Sequence, residues 1–166
     1  MSHREYVKIT FDYPLAAAKA FATLNSPKPF KFVYVSGEGA TTNPGMFTAR
    51  FGVVKGRAEA ALLALSKEPA YSTLKPYSLR PGAVDSMKHT EIHQYLPAKN
   101  VFIKHAYNGV VGVMNTVYKN MTSPTRDLGR VLSDLAASGG EPLEGNDIEG
   151  EGRTISNAGM RRLAGI

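Results

Sequence analysis

The sequence predicts an α/β fold built on a parallel sheet with flanking helices. Three observations predict it. Phe30, Phe32, Val33, Tyr34 and Val35 form an almost continuous aromatic or β-branched run, as expected of a strand covered on both faces. A long segment follows with apolar residues at Phe47, Phe51, Val54, Ala58, Leu62 and Leu65, the three- and four-residue spacing of an amphipathic helix. Residues 76–79 then read as a second strand. Strand, long helix, strand is a crossover unit whose two strands run parallel.

The elements follow in order. Asp12 and Tyr13-Pro14 predict a helix start, since proline suits the first helical turn. The Ala-rich helix then covers residues 15–24, and Asn25-Ser26-Pro27 ends it. Residues 28–35 are the first strand. Residues 37–45 are turn chemistry throughout. Residues 46–65 are the long helix, closed by Pro69. The strand over 76–79 ends at Arg80-Pro81-Gly82. Residues 82–99 read as irregular, and 101–118 as a helix containing Gly109 and Gly112. Ser123-Pro124 starts a further helix over 125–137, with Leu128, Val131, Leu132 and Leu135 on one face. Gly139-Gly140 stops it. Residues 141–152 are acidic and Gly-rich, with at most one short strand near Ile148. Ser156 caps a last helix, 157–164.

Composition narrows the function classes. At 166 residues the chain is expected to be one domain, 1–166. Apolar residues make up 43% and charged residues 20%, which is ordinary for a globular protein. With no cysteine, disulfides, zinc-thiolate sites and cysteine nucleophiles are excluded. The formal charge is +6, but lysine and arginine are scattered. A nucleic-acid footprint would be a basic patch or stripe, so no nucleic-acid partner is expected. Met-Ser-His-Arg-Glu-Tyr leads into no apolar signal region. Between Lys104 and Lys119 the uncharged stretch falls short of the roughly 20 apolar residues of a membrane span. No membrane association and a cytoplasmic location are the expectation.

Two parallel strands alone leave apolar edges uncovered. The sheet is therefore expected either to contain further strands or to be part of a larger one.

Ser36 after the first strand, then Phe51 and Lys55 four residues apart on the helix, then Leu79-Arg80-Pro81-Gly82 at the second strand's end form an ordered set. With Tyr34-Val35-Ser36-Gly37 and Lys55-Gly56-Arg57-Ala58-Glu59, the set resembles the second half of an atypical or extended short-chain dehydrogenase/reductase. Thr125-Arg126-Asp127-Leu128-Gly129 is similar to a helix start near that family's C-terminus. The likeness covers about residues 28–137, and it is strongest to members described as nucleoside-diphosphate-sugar-epimerase-like or NAD(P)-binding. It implies a partial doubly wound, Rossmann-type sheet. Residues 1–137 would be the C-terminal half of that fold, and 138–166 a Gly-rich extension with a short helix.

The resemblance also implies a site. In the family a Ser holds the substrate carbonyl, and a Tyr four residues before a Lys exchanges the proton. A phenol's ordinary pKa of about 10 is too high for that work near neutrality. A lysine one turn away favours the phenolate and lowers it. By this likeness Ser36 and Lys55 are the catalytic positions, and Lys55, Pro81, Gly82 and Val84 the cofactor-binding ones. The cofactor is NADP or NAD, which supplies the hydride, and the other partner is a small-molecule substrate. No metal is implied. The chain departs from the pattern twice. Phe51 stands at the tyrosine position and has no proton to give. Gly37-Glu38-Gly39-Ala40-Thr41-Thr42 is no dinucleotide fingerprint, because it lacks the third small residue and follows the wrong strand. The phosphate-holding turn of the family lies in the first half of the fold, so weak or no dinucleotide binding and impaired catalysis are expected. An alternative is a non-catalytic regulatory or interaction module on a degenerate Rossmann fold. A further one is a complete small fold whose strand edges close by homodimerisation.

Other residues have ordinary readings. Tyr34 shares a face with Ser36 and reads as buried strand packing. Glu59 lies one turn after Lys55 and is placed to pair with it. His89-Thr90-Glu91-Ile92-His93 is no metalloprotease helix, which needs glutamate directly after the first histidine.

Overall fold

The structure, a computed structural model, describes residues 1–24, 28–96 and 121–166. The helix expected over 101–118 lies outside the described residues.

The chain opens with helix, where the sequence placed the start at Asp12. Helix α1, His3–Val7, runs through a π-helical turn, Lys8–Asp12, into α2, Tyr13–Ala22. Ser2 and Glu5 form a capping box: Ser2 Oγ accepts from the Glu5 N–H and a Glu5 carboxylate oxygen accepts from the Ser2 N–H. Asp12 is itself helical and makes no side-chain cap. Pro14 is the reason for the π turn. It has no N–H for the Thr10 carbonyl, and its ring would crowd that carbonyl in a regular α-helix. The Tyr34 hydroxyl donates to the Thr10 carbonyl at 3.0 Å.

Strand β1, Phe30–Val35, pairs in parallel with β2, Leu74–Leu79, from Phe30 opposite Leu74 to Val35 opposite Leu79. Helix α3, Arg50–Leu65, connects them. It begins later than its apolar spacing suggests, because Thr48 and Gly45 close a turn on each other and Phe47 points to solvent, 97% exposed.

The sheet is larger than the two strands legible in the sequence. With β5 at Ile148–Glu149 and β6 at Thr154–Ile155, its order is β1-β2-β6-β5. Strand β6 pairs in parallel with β2, and β5 pairs antiparallel with β6. The Gly150-Glu151-Gly152 turn between them has three successive positive φ angles, 57°, 58° and 81°, where two glycines avoid the Cβ penalty. The Gly-rich C-terminal segment is thus built into the sheet. A separate pair, β3 at Ala83–Asp85 and β4 at Thr122–Pro124, also runs parallel. Helix α4, Thr125–Ala137, follows β4 directly, and α5, Asn157–Ala164, follows β6. As expected, Ser156 caps α5, accepting from the Gly159 N–H.

Helices cover both faces of the sheet. On one, Ala18 and Ala22 of α2 and Ala58, Leu62 and Leu65 of α3 pack with Tyr34 and Leu74. On the other, Leu128, Val131 and Leu135 of α4 and Met160 and Ala164 of α5 pack on Tyr77, Leu79 and Ile155. This double coverage explains why β1 reads as a nearly continuous rather than alternating apolar run. The architecture is mixed α/β with a mostly parallel sheet and flanking helices.

Candidate functional site

The residues singled out in the sequence meet at the C-terminal ends of β1 and β2. Parallel pairing continues past the strands: the Ser36 N–H donates to the Leu79 carbonyl at 2.8 Å, and the Glu38 N–H to the Pro81 carbonyl at 2.8 Å. Ser36-Gly37-Glu38 therefore lies alongside Arg80-Pro81.

Helix α3 closes onto this turn from the side. A Cβ at Gly52 would overlap the Gly39 carbonyl, and one at Gly56 would overlap the Thr41 carbonyl. These two glycines let the loop lie directly on the helix, as close backbone approach requires. Lys55, between them, reaches the turn. Its Nζ donates to the Ser36 carbonyl, and a Cβ at Gly37 would sit 3.5 Å from that Nζ. Phe51, one turn earlier and 48% exposed, lies beside Gly39. Ser36, Phe51 and Lys55 thus line one turn, as their order predicted.

The chemistry they present differs from the expected set. The Ser36 carbonyl, not its hydroxyl, faces Lys55. Ser36 is 2% exposed, and its Oγ is buried with no hydrogen-bond partner among the described residues. Phe51 offers no proton. Burial pulls the Lys55 ammonium below the ordinary lysine value, and the Glu59 charge acts weakly in the opposite sense.

Glu59 does not bond Lys55. It is buried with Arg80, whose Nε and Nη2 donate to its carboxylate at 3.0 and 2.6 Å. Arg80 Nη1 also donates to Glu149 on β5 at 2.9 Å. This cluster ties α3, the end of β2 and β5 together beneath the Lys55 turn. The sequence held its signal, since Glu59 and Arg80 belong to the Lys55-Gly56-Arg57-Ala58-Glu59 and Leu79-Arg80-Pro81-Gly82 motifs, but not the pairing.

Gly82 is anchored on the far side. Its N–H donates to Ser123 Oγ at 2.9 Å, and a Cβ there would overlap the Met121 carbonyl. Ser123 Oγ donates to Asn157 Oδ1 at 2.6 Å, and the Asn157 N–H donates to the Glu38 carboxylate at 3.2 Å. Glu38, Ser123 and Asn157 escaped the sequence reading, because their meeting depends on β4 and α5 arriving together. Val84, two residues beyond Gly82, lies on β3 opposite Ser123 and is part exposed.

Tyr34 packs as expected, and burial, with Tyr6 and Glu59 nearby, holds its phenol well above the usual 10.0. The ring nitrogens of His89 and His93 lie against the Thr125 hydroxyl and the Ser86 carbonyl, at 3.1 and 2.8 Å. A cleft of about 360 Å³ lies beside β3 and α4, lined by Asp85, Lys88, His89, Arg126 and Arg161 among others; neither Lys55 nor Ser36 borders it. Among the described residues, no helix is long and apolar enough to cross a membrane.

No family model matches the chain, and no solved structure matches it. The chain is 28% identical over 182 residues to Leucinostatins biosynthesis cluster protein T of Purpureocillium lilacinum, a match covering 97% of this chain and 64% of that relative. It is 40% identical over 157 residues to Botcinic acid biosynthesis cluster B protein 16 of Botryotinia fuckeliana, a match covering 92% of this chain and 98% of that relative. At that identity and coverage, the chain belongs to the family of Botcinic acid biosynthesis cluster B protein 16.

Proposed function

We propose that this chain is a short-chain-dehydrogenase-type NAD(P)-binding protein that carries the lysine-bearing part of the doubly wound fold, serving secondary-metabolite biosynthesis as the names of its relatives suggest. The observation that carries the reading is the Lys55 ammonium held by the Ser36 carbonyl at the C-terminal ends of two parallel strands. Ligands of open parallel sheets bind at that end.

Lys55 would hold the ribose hydroxyls of NADP or NAD, with Pro81 and Gly82 shaping the adjoining floor. Bound there, a nicotinamide supplies hydride chemistry. The fit is partial. A half-buried ammonium suits a ribose, but the described residues include no Gly-rich strand-turn-helix to hold a pyrophosphate. Proton transfer is the weaker half of the site. Phe51 cannot donate, and the buried Ser36 hydroxyl is not presented to a carbonyl substrate. The residues therefore support cofactor binding better than turnover.

Isothermal calorimetry with millimolar NADPH and NADH tests this. Weak binding that disappears in Lys55→Met is expected. No heat with either dinucleotide would sink it. That result would leave a second reading, a non-catalytic interaction module, which the phenylalanine at position 51 favours.

A further inference from the structure

The two edges of the four-stranded sheet are built differently. At one edge β5 is two residues long, antiparallel, and followed by the left-handed Gly150-Glu151-Gly152 turn. Its Glu149 carboxylate is tied to Arg80. A short, charged, sharply turned strand is a protected edge. At the other, β1 is six residues of nearly continuous apolar sequence, and among the described residues no strand lies beyond it.

The hydrogen bonds fix which backbone groups face outward. The Phe30 N–H donates to the Thr73 carbonyl and the Ser36 N–H to the Leu79 carbonyl, both toward β2. In a strand, backbone groups two residues apart point the same way. The even residues of β1 therefore bond β2, and the N–H and C=O groups of Lys31, Val33 and Val35 point away from it. Apolar surface flanks these groups. Val35 is 47% exposed, and Phe21, 44% exposed, stacks on Phe30 at the strand's start with ring centres 5.1 Å apart.

We infer that the outer edge of β1 is an interface on which β1 of a second copy of this chain pairs antiparallel, centred on Val33. Two-fold symmetry then sets Lys31 against Val35 of the copy and Val33 against Val33. Every outward N–H meets an outward carbonyl, and both edges close at once. A second copy fits this edge because the strand is its own complement under two-fold symmetry.

Light scattering on the eluting protein, from about one to a hundred micromolar, gives the mass, and circular dichroism reports folding. The native chain should run as a dimer. Val35→Pro removes an outward donor without touching the β2 ladder, and Phe21→Glu places a charge on the flank. Each should weaken dimerisation at least tenfold with the helical signal unchanged. Should Val35→Pro fail to fold, Phe21→Glu decides. A native monomer throughout the range overturns the inference and leaves the edge to a different polypeptide. A dimer that survives the folded variants overturns it as well. Neither result depends on dinucleotide binding.

Discussion

Glu59 and Arg80 form a buried, two-pronged ion pair, so the carboxylate one turn from Lys55 is engaged elsewhere. The guanidinium's planar fork matches the carboxylate, and this bonding holds Arg80 above the ordinary arginine range. Removing one partner leaves the other charge buried and unpaired. Arg80→Met or Glu59→Ala should each cost about 3–5 kcal/mol. The double change Glu59→Leu with Arg80→Met should cost clearly less than the two single losses added. Urea unfolding with the slope held constant measures all of these, and additive losses would show that the pair is not the source.

Two helical glycines should respond in opposite directions. Gly56 lies under the Thr41 carbonyl, whereas Gly129 of α4 has nothing within 4 Å of where a Cβ would stand. Gly56→Ala should push the 37–41 loop off α3 and destabilise by about 1–3 kcal/mol or more. Gly129→Ala should stabilise by about 0.5–1 kcal/mol through helix propensity and reduced unfolded-state freedom. Thermal and urea midpoints of the two variants check the contrast.

What was legible in the sequence is what local order dictates. Ser36, Phe51 and Lys55 meet because a strand's end and the next helix are held side by side, with the connecting residues 36–49 lying directly on the helix. The N-terminal helix was misplaced because Pro14 reads as a start, while a π turn absorbs it inside a longer helix. Strands of two and three residues carry no periodicity, which is why β3, β4 and β6 were invisible and only the strand at Ile148 was anticipated. The partner of Glu59 was hidden for another reason. It depends on the register that brings the end of β2 beside the third turn of α3, and no local pattern encodes that.

Tyr34 should give the fold an alkaline limb. Its phenol is held above 10.0 chiefly by burial, so the unfolded chain gives up this proton first as pH rises. The stabilisation is therefore fully present below about pH 10 and is lost above it. The loss should approach about 1.4 kcal/mol per pH unit for the single proton. Tyr34→Phe gives up the bond to the Thr10 carbonyl and should cost about 0.5–1.5 kcal/mol at neutral pH. Above pH 10 that deficit should shrink and then reverse. Unfolding free energies of both proteins from pH 7 to 11 test the crossing.

Phe51→Tyr asks whether the Lys55 turn retains the electrostatics of a proton-transfer site. The new hydroxyl would stand one helical turn from an ammonium anchored on the Ser36 carbonyl. That charge stabilises a phenolate, so one additional phenol should titrate below 10, by roughly one unit. The native tyrosines supply the background, and the ultraviolet difference between variant and native protein isolates the added group. Lys55→Met in the Phe51→Tyr background should return the extra titration to about 10. If the added phenol titrates at 10 or higher with Lys55 present, burial outweighs the ammonium, and a single substitution cannot restore an acid to this turn. If it titrates low, the lysine is placed to support a phenolate, and the missing phenol joins the buried Ser36 hydroxyl among the parts this turn lacks.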